Sequence, residues 1–238
     1  MGCMALKTLV VEDDDRIRAA LQLALGEEGY AVVGAADVAE GLEMFEREHP
    51  DVLLVDVMLG ATDGRDLVRQ VRTRSQVPII IISARGDTTD VIAGLEAGAD
   101  DYVVKPIVVK ELAARIRAVR RRESAPPPTD GPPDVVTLCR DPETVNFSNS
   151  GGWLRRDGTE VPLTAMEFRL LSELVAHKGQ MLSRSQLLER VWGYRHAGDD
   201  RLVDVTVRRL RVKLEADPSH PVMLVTVRGL GYRLQSAP

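Results

Sequence analysis

The sequence predicts two domains: an N-terminal α/β domain with a doubly wound parallel sheet, then a C-terminal α+β domain of three helices and a terminal hairpin. Three observations carry this. Five short, continuous apolar runs alternate with helical patterns through the first half. A stretch at 123–134, ESAPPPTDGPPD, holds five of the chain's 13 prolines. Two capping boxes and a basic amphipathic segment follow it. The predicted boundaries are 1–122, a linker at 123–134, and 135–238.

The apolar runs are 6–11, 30–33, 52–55, 79–82 and 102–104. Their apolar character is continuous rather than alternating, which marks strands covered on both faces. Stretches such as 16–25 and 91–97 are long enough for crossover helices, giving a (βα)5 order. The proline run is extended and unable to pack a core. Beyond it, 135–163 reads as short strands with turns at Ser150-Gly151-Gly152 and Asp157-Gly158. Thr164-Ala165-Met166-Glu167 and Ser183-Arg184-Ser185-Gln186 are capping boxes that open two helices. A third helix should start near Asp199-Asp200 and run to about Glu215. Residues 222–227 and 231–234 flank Arg228-Gly229-Leu230 as a hairpin.

Composition bounds the function. Hydrophobic residues are 44% and charged residues 28%, which excludes a disordered chain. Two cysteines, Cys3 and Cys139, exclude a disulfide scaffold and suggest a reduced, cytoplasmic setting. No stretch approaches the roughly 20 apolar residues of a membrane span. Residues 1–6 show no basic region leading into an apolar one, and Leu6 breaks the myristoylation pattern of Met1-Gly2-Cys3. The net charge of −5 argues against nucleic acid until it is divided. Residues 1–122 carry 16 basic and 21 acidic groups, net −5; residues 201–238 carry seven and three, net +4.

In an open parallel sheet, ligands bind beyond the carboxyl ends of the strands. Polar residues leave four of these ends: Glu12 and Asp13, Asp56, Ser83, and Lys105-Pro106. For one acid alone, a solvated helix cap is an adequate account; for the whole set it is not. Two carboxylates about 4 Å apart repel by roughly 4 kcal/mol at an effective dielectric of 20, so three need a counter-charge. An all-oxygen site with few protein ligands suits Mg²⁺, and Lys105 adds a second cation. A carboxylate beside such a metal can act as a nucleophile toward a phosphoryl donor.

The third helix of the second domain carries the basic charge. At 100° per residue, Val203, Val207, Leu210 and Leu214 form a core stripe. Arg201, Arg208 and Arg209 lie opposite, with Val205 and Val212 among them, and Arg211 and Lys213 flank. Asp204 is the one acid among these positions, so few salt bridges are expected along the helix. A cationic helix face suits a DNA major groove; a solvated basic face is the plain alternative.

The first domain resembles a response-regulator receiver along its whole length. The resemblance rests on Val10-Val11-Glu12-Asp13-Asp14, Leu54-Val55-Asp56-Val57-Met58-Leu59, Ile82-Ser83-Ala84-Arg85 and Gly98-Ala99-Asp100-Asp101-Tyr102-Val103-Val104-Lys105-Pro106. It implies a flavodoxin-like fold with Asp56 as phosphoacceptor. Mg²⁺ would sit on Glu12, Asp13, Asp56 and the carbonyl of Met58. Ser83, Lys105 and Tyr102 would be the catalytic and switch residues. A sensor histidine kinase would be the donor. Gly60 stands where the family usually has proline, which suggests a looser loop, and Ile107 stands where an aromatic is usual.

The second domain resembles the winged helix-turn-helix of the OmpR/PhoB subfamily. The matching runs are Leu163-Thr164-Ala165-Met166-Glu167-Phe168-Arg169-Leu170-Leu171, Leu187-Leu188-Glu189-Arg190-Val191-Trp192-Gly193, Val203-Asp204-Val205-Thr206-Val207-Arg208-Arg209-Leu210-Arg211 and Thr226-Val227-Arg228-Gly229-Leu230-Gly231-Tyr232-Arg233. The resemblance implies DNA contacts from Arg201, Thr206, Arg208, Arg209 and Arg211, and wing contacts from Thr226 and Arg228. It implies a loop at 192–199 facing DNA and RNA polymerase; Trp192 reads equally as a core anchor. It also implies a phosphorylation-induced homodimer on direct-repeat promoter DNA, paired through Asp100, Asp101, Glu111 and Arg115. A solvated charged face is the alternative for those four.

Other chemistries lack their residues. There is no Walker loop, dinucleotide fingerprint or Gly-x-Ser-x-Gly. Met58 stands where a haloacid-type phosphatase needs a second Asp, and His49, His177, His196 and His220 are scattered. Two rivals to the regulator remain: an enzyme turning over phosphate substrates, and a DNA binder indifferent to phosphorylation.

Overall fold

A computed structural model of the chain describes residues 5–120, 134–139, 143–193 and 200–235. Cys3, the linker at 123–133 and the loop at 194–199, which contains Gly198, lie outside the described residues. The chain divides into two units, Met1–Arg120 and Arg121–Pro238.

In the first unit the elements alternate as the apolar pattern requires. They are β1 (Lys7–Val11), α1 (Asp15–Glu27), β2 (Ala31–Ala35), α2 (Val38–Glu48), β3 (Val52–Asp56), β4 (Met58–Leu59), β5 (Thr62–Asp63), α3 (Gly64–Arg72), β6 (Ile79–Ser83), α4 (Thr88–Glu96), β7 (Asp101–Val104) and α5 (Val109–Arg120). The parallel sheet runs β2-β1-β3-β6-β7. Every residue of β3 and β6 is buried, because helices cover both faces. The order reverses between β1 and β3, and in doubly wound sheets the ligand crevice opens at that switch point.

Four aspartates start four helices. Asp14, Asp37, Asp63 and Asp87 accept backbone N–H bonds at the N-termini of α1, α2, α3 and α4. One glycine is demanded by space: a Cβ on Gly64 would lie 1.8 Å from the carbonyl oxygen of Asp56. Gly64 therefore lets α3 start hard against the end of β3.

The loop after Asp56 carries secondary structure of its own. β4 and β5 form a small antiparallel pair, with Gly60 at φ +60 between them. Proline is fixed near −65° and has no N–H. Gly60 uses both freedoms, donating its N–H to Asp13 Oδ2 at 2.9 Å.

The second unit begins with an antiparallel sheet of β8 (Val135–Cys139), β9 (Val145–Ser148), β10 (Trp153–Arg156) and β11 (Thr159–Glu160). Three helices follow: α6 (Ala165–Ala176), α7 (Arg184–Trp192) and α8 (Asp200–Leu214). Thr164 with Glu167, and Ser183 with Gln186, close both reciprocal capping boxes. The hairpin of β13 (Leu224–Val227) and β14 (Gly231–Leu234) gains a third strand, β12 (Met181–Ser183), which the sequence pattern does not show. Trp192 is fully buried, and Phe147 packs on Phe168 with ring centroids 5.4 Å apart. Trp192 is therefore a core residue.

Candidate functional site

Three strand ends meet through one ammonium. Glu12 follows β1, Asp56 ends β3 and Lys105 follows β7. Lys105 Nζ donates to Glu12 Oε2 at 2.8 Å and to Asp56 Oδ2 at 2.6 Å. Both carboxylates are buried. Burial, helped by the charge of Asp56, pushes the Glu12 carboxyl above its ordinary pKa. Burial works against the charge on Lys105, yet Asp56 and Glu12 outweigh it and hold the ammonium above its ordinary value. The second Asp56 oxygen, Oδ1, accepts the Met58 N–H at 2.9 Å.

Ser83, the last residue of β6, is buried, and its Oγ accepts the Arg85 N–H at 3.1 Å. The Tyr102 ring is turned inward, and its hydroxyl donates to the Arg85 carbonyl at 2.6 Å. Burial raises the Tyr102 pKa, so it stays a donor. Beside this rim lies a cleft of about 210 Å³ lined by Met58, Gly60, Thr62, Asp63, Arg65 and Arg85. Arg65 and Arg85 both face Asp90 Oδ1 at 3.6 Å. The sequence motifs do not single out Arg65 or Asp90.

The donor set is all oxygen, as Mg²⁺ requires. Among the described residues, however, no three His, Cys, Asp or Glu side chains form a ready cation cage. Lys105 draws Glu12 and Asp56 together, while Asp13 is exposed and turned to Gly60. Such a rim supplies only part of an octahedral shell. That fits a cation that keeps several waters and takes phosphate oxygens.

The four residues assigned to a dimer face are engaged within the unit. Asp100 is buried at the opposite end of the sheet, where it pairs with Arg72 and accepts the Ile79 N–H at 3.0 Å. This corrects its assignment as a surface contact: its carboxylate caps the first residue of β6. Asp101 is buried against Arg115, 3.1 Å away, and Arg115 reaches Glu111 at 2.8 Å. Of the four, Glu111 is the one with a substantially exposed side chain.

The cations of α8 and of the hairpin turn differ in exposure. Arg208 and Arg228 are exposed and Arg201 is partly so. Arg209 Nε donates to Glu167 Oε1 at 2.9 Å, and Lys213 Nζ to Glu167 Oε2 at 2.5 Å. Glu167 is 1% exposed. Burial pushes its carboxyl up, but Arg209 and Lys213 overcome that and hold it below the ordinary range. Salt bridges do lace this helix, then, with the acid supplied by α6.

Arg211 binds the Leu224 carbonyl at 2.9 Å and Thr226 Oγ1 at 2.8 Å. Thr206 is buried, and its hydroxyl donates to the Leu202 carbonyl four residues back at 2.6 Å. That corrects Thr206 as a groove-facing residue, and Val205 is likewise buried. Val212 remains on the exposed side. Sequence reasoning also missed a second cluster: Arg184 and Tyr232 both bind Asp204. Burial, reinforced by Asp204, pushes the Tyr232 hydroxyl up to about 12.

Both halves match known families. Residues 8–117 match the response regulator receiver domain, and residues 158–234 match the C-terminal domain of transcriptional regulatory proteins. The chain is 45% identical over 226 residues to the transcriptional regulatory protein AfsQ1 of Streptomyces coelicolor, covering 95% of this chain and 96% of that one. It is 47% identical over 237 residues to the transcriptional regulatory protein CseB of Streptomyces avermitilis, covering 96% and 97%. It resembles the crystal structure of the response regulator DrrB, a Thermotoga maritima OmpR/PhoB homologue, at 29% identity and a TM-score of 0.50, covering 98% and 100%. Among the described residues no helix is long and apolar enough to cross a membrane. With a receiver fold, a winged-helix DNA-binding fold and full-length relatives that regulate transcription, the chain belongs to the OmpR/PhoB response regulators.

Proposed function

We propose that Asp56 is the phosphoacceptor and that its modification controls DNA binding by the second domain. The observation that carries this is the short contact of Asp56 with Lys105, at the sheet's switch point and beside Glu12. A carboxylate oxygen of Asp56 attacks the phosphorus of a sensor kinase's phosphohistidine. The Asp–O–P bond forms, the P–N bond breaks, and its electron pair returns to the imidazole, which takes up a proton. Lys105 holds Asp56 in place and offsets charge on the phosphoryl oxygens. Glu12, Asp13, Asp56 and the Met58 carbonyl would hold Mg²⁺, whose charge assists at those same oxygens when it is bound. The chemistry is confined to the chain's own phosphorylation and its hydrolysis.

Ser83 and Tyr102 stand next in line, joined through the backbone of Arg85. A shift of that segment toward the phosphoryl group would move Tyr102 and favour a receiver homodimer, with Glu111 the accessible member of the charged set. Arg201, Arg208 and Arg228 supply direct DNA contacts on direct-repeat promoter sites. Arg209, Arg211 and Thr226 lie beside them, bound to Glu167 and to each other's elements within the domain. RNA polymerase is the downstream partner, and the setting is cytoplasmic.

Acetyl phosphate with Mg²⁺ tests the acceptor by intact-mass measurement. A stable adduct should form in the native chain, disappear in Asp56→Ala and persist in Asp66→Ala. Asp66 serves as the control because it lies in the first turn of α3 with its side chain exposed. An adduct surviving in Asp56→Ala rejects the assignment. Multiple turnover of the donor without DNA affinity would favour the enzyme reading.

A further inference from the structure

Tyr232 is where three elements of the second unit meet. Its hydroxyl donates to Asp204 Oδ1 at 2.6 Å, and Arg184 Nε donates to the same oxygen at 2.7 Å. Asp204 lies on α8, Arg184 opens α7 and Tyr232 lies in β14. Arg184 also reaches the Tyr232 hydroxyl at 3.3 Å and stands 5.0 Å from its ring centroid. Arg211 sits two turns beyond Asp204 on α8, 5.8 Å from the same ring. From there it binds the other hairpin strand at Leu224 and Thr226. Helix α8 thus grips both strands of the hairpin, β14 through Asp204 and β13 through Arg211.

Tyr232 itself is buried, but the ion pair beside it is poorly placed to hold the fold together. The Asp204 side chain is 45% exposed and that of Arg184 is 29% exposed. Ion pairs open to water contribute little to stability. The core stripe of Val203, Val207, Leu210 and Leu214 is buried without them. What they do fix is orientation: two short bonds on one carboxylate oxygen, from two separate elements, admit few relative angles.

We propose that Asp204, Tyr232, Arg184 and Arg211 are positioning residues that set the angle between the recognition helix α8 and the wing β13–β14, so that both meet DNA as one preorganised unit. This rests on the DNA-binding reading of α8 and the wing. A pre-set angle spares the ordering cost of bringing two elements onto DNA separately. Asp204, although an acid on a DNA-facing helix, therefore strengthens binding.

Spin labels at Leu230→Cys and Val212→Cys test the angle in the full-length chain. Both sites are exposed, at 56% and 61%; Cys3 is replaced by Ser, and Cys139 is buried. Pulsed electron spin resonance should give one narrow distance distribution in the parent. The distribution should broaden in Tyr232→Phe and Asp204→Ala and stay narrow in Asp204→Asn, whose amide oxygen still accepts from Tyr232. DNA affinity should fall about tenfold in the first two, the value of roughly one hydrogen bond to a charged group. Tryptophan-detected urea unfolding should show the second domain still cooperatively folded in each variant. Unchanged distributions in Tyr232→Phe and Asp204→Ala overturn the proposal, as does broadening in Asp204→Asn equal to that in Asp204→Ala. A parent chain with no DNA affinity would instead reject the functional reading, while the distances still judge the angle.

Discussion

Replacing Glu167 by Ala should unfold the second domain at markedly lower urea while leaving the receiver untouched. Glu167 is 1% exposed and its oxygens accept from Arg209, Lys213 and the Thr164 N–H. Removing one partner of a buried ion pair costs about 3–5 kcal/mol, because the remaining charge is stranded. Here the stranded cations are 19% and 24% exposed. They recover part of their hydration, which lowers the expected loss to about 2–4 kcal/mol, the broken capping box included. Both tryptophans, Trp153 and Trp192, lie in this domain, so their fluorescence follows its unfolding selectively. The pH dependence has a definite sign. The folded-state pKa of Glu167 lies below its ordinary value of 4.5. Its contribution is therefore complete above about 4.5 and is lost as pH falls through the lower folded value. The native midpoint should drop on acidification more steeply than that of Glu167→Ala. A variant within about 0.5 kcal/mol of the parent, the range of an ordinary surface change, would refute the reasoning.

Three further outcomes are expected. Gly64→Ala should destabilise the receiver severely, since its Cβ would overlap the Asp56 carbonyl, while Gly26→Ala in α1 meets nothing within 4 Å and should stabilise by about 0.5–1 kcal/mol; receiver thermal melts compare them. Lys105→Gln removes the shared counter-charge of Glu12 and Asp56, so NMR titration should show Glu12 ionising at a still higher pH, and adduct formation from acetyl phosphate should fall at least tenfold. Arg208→Ala should cost about 1–3 kcal/mol of DNA affinity and relax base choice if it reads a base; unchanged binding across a salt titration and a panel of sites would remove it from the interface.

Local features were legible in the sequence because they depend on neighbours in the chain. The continuous apolar runs became buried parallel strands, and both capping boxes closed as their spacing required. Features that depend on distant partners were hidden. A helical projection places Arg209 away from the core stripe, yet the acid that captures it lies 42 residues earlier. Arg211 similarly finds its acceptors on a strand 13 and 15 residues later. Asp100 and Asp101 are adjacent and share a motif, but Asp100 precedes β7 and pairs with Arg72, while Asp101 opens β7 and pairs with Arg115. The β4–β5 pair was unreadable because two-residue strands carry no periodicity.

The four capping aspartates also change how the receiver's negative charge is counted. Parallel strands with crossover helices place the N-termini of α1 to α4 along the edge that holds Glu12 and Asp56. Each helix start carries roughly half a positive charge from its aligned peptide dipoles. Asp14, Asp37, Asp63 and Asp87 sit on those starts, and backbone amides hold Asp14 and Asp87 below the ordinary carboxylate pKa. About half of each capping charge is therefore already answered by the backbone. Glu12 and Asp56 cap no helix, and they share the Lys105 ammonium as counter-charge. An approaching cation is drawn to two buried acids that share one ammonium between them.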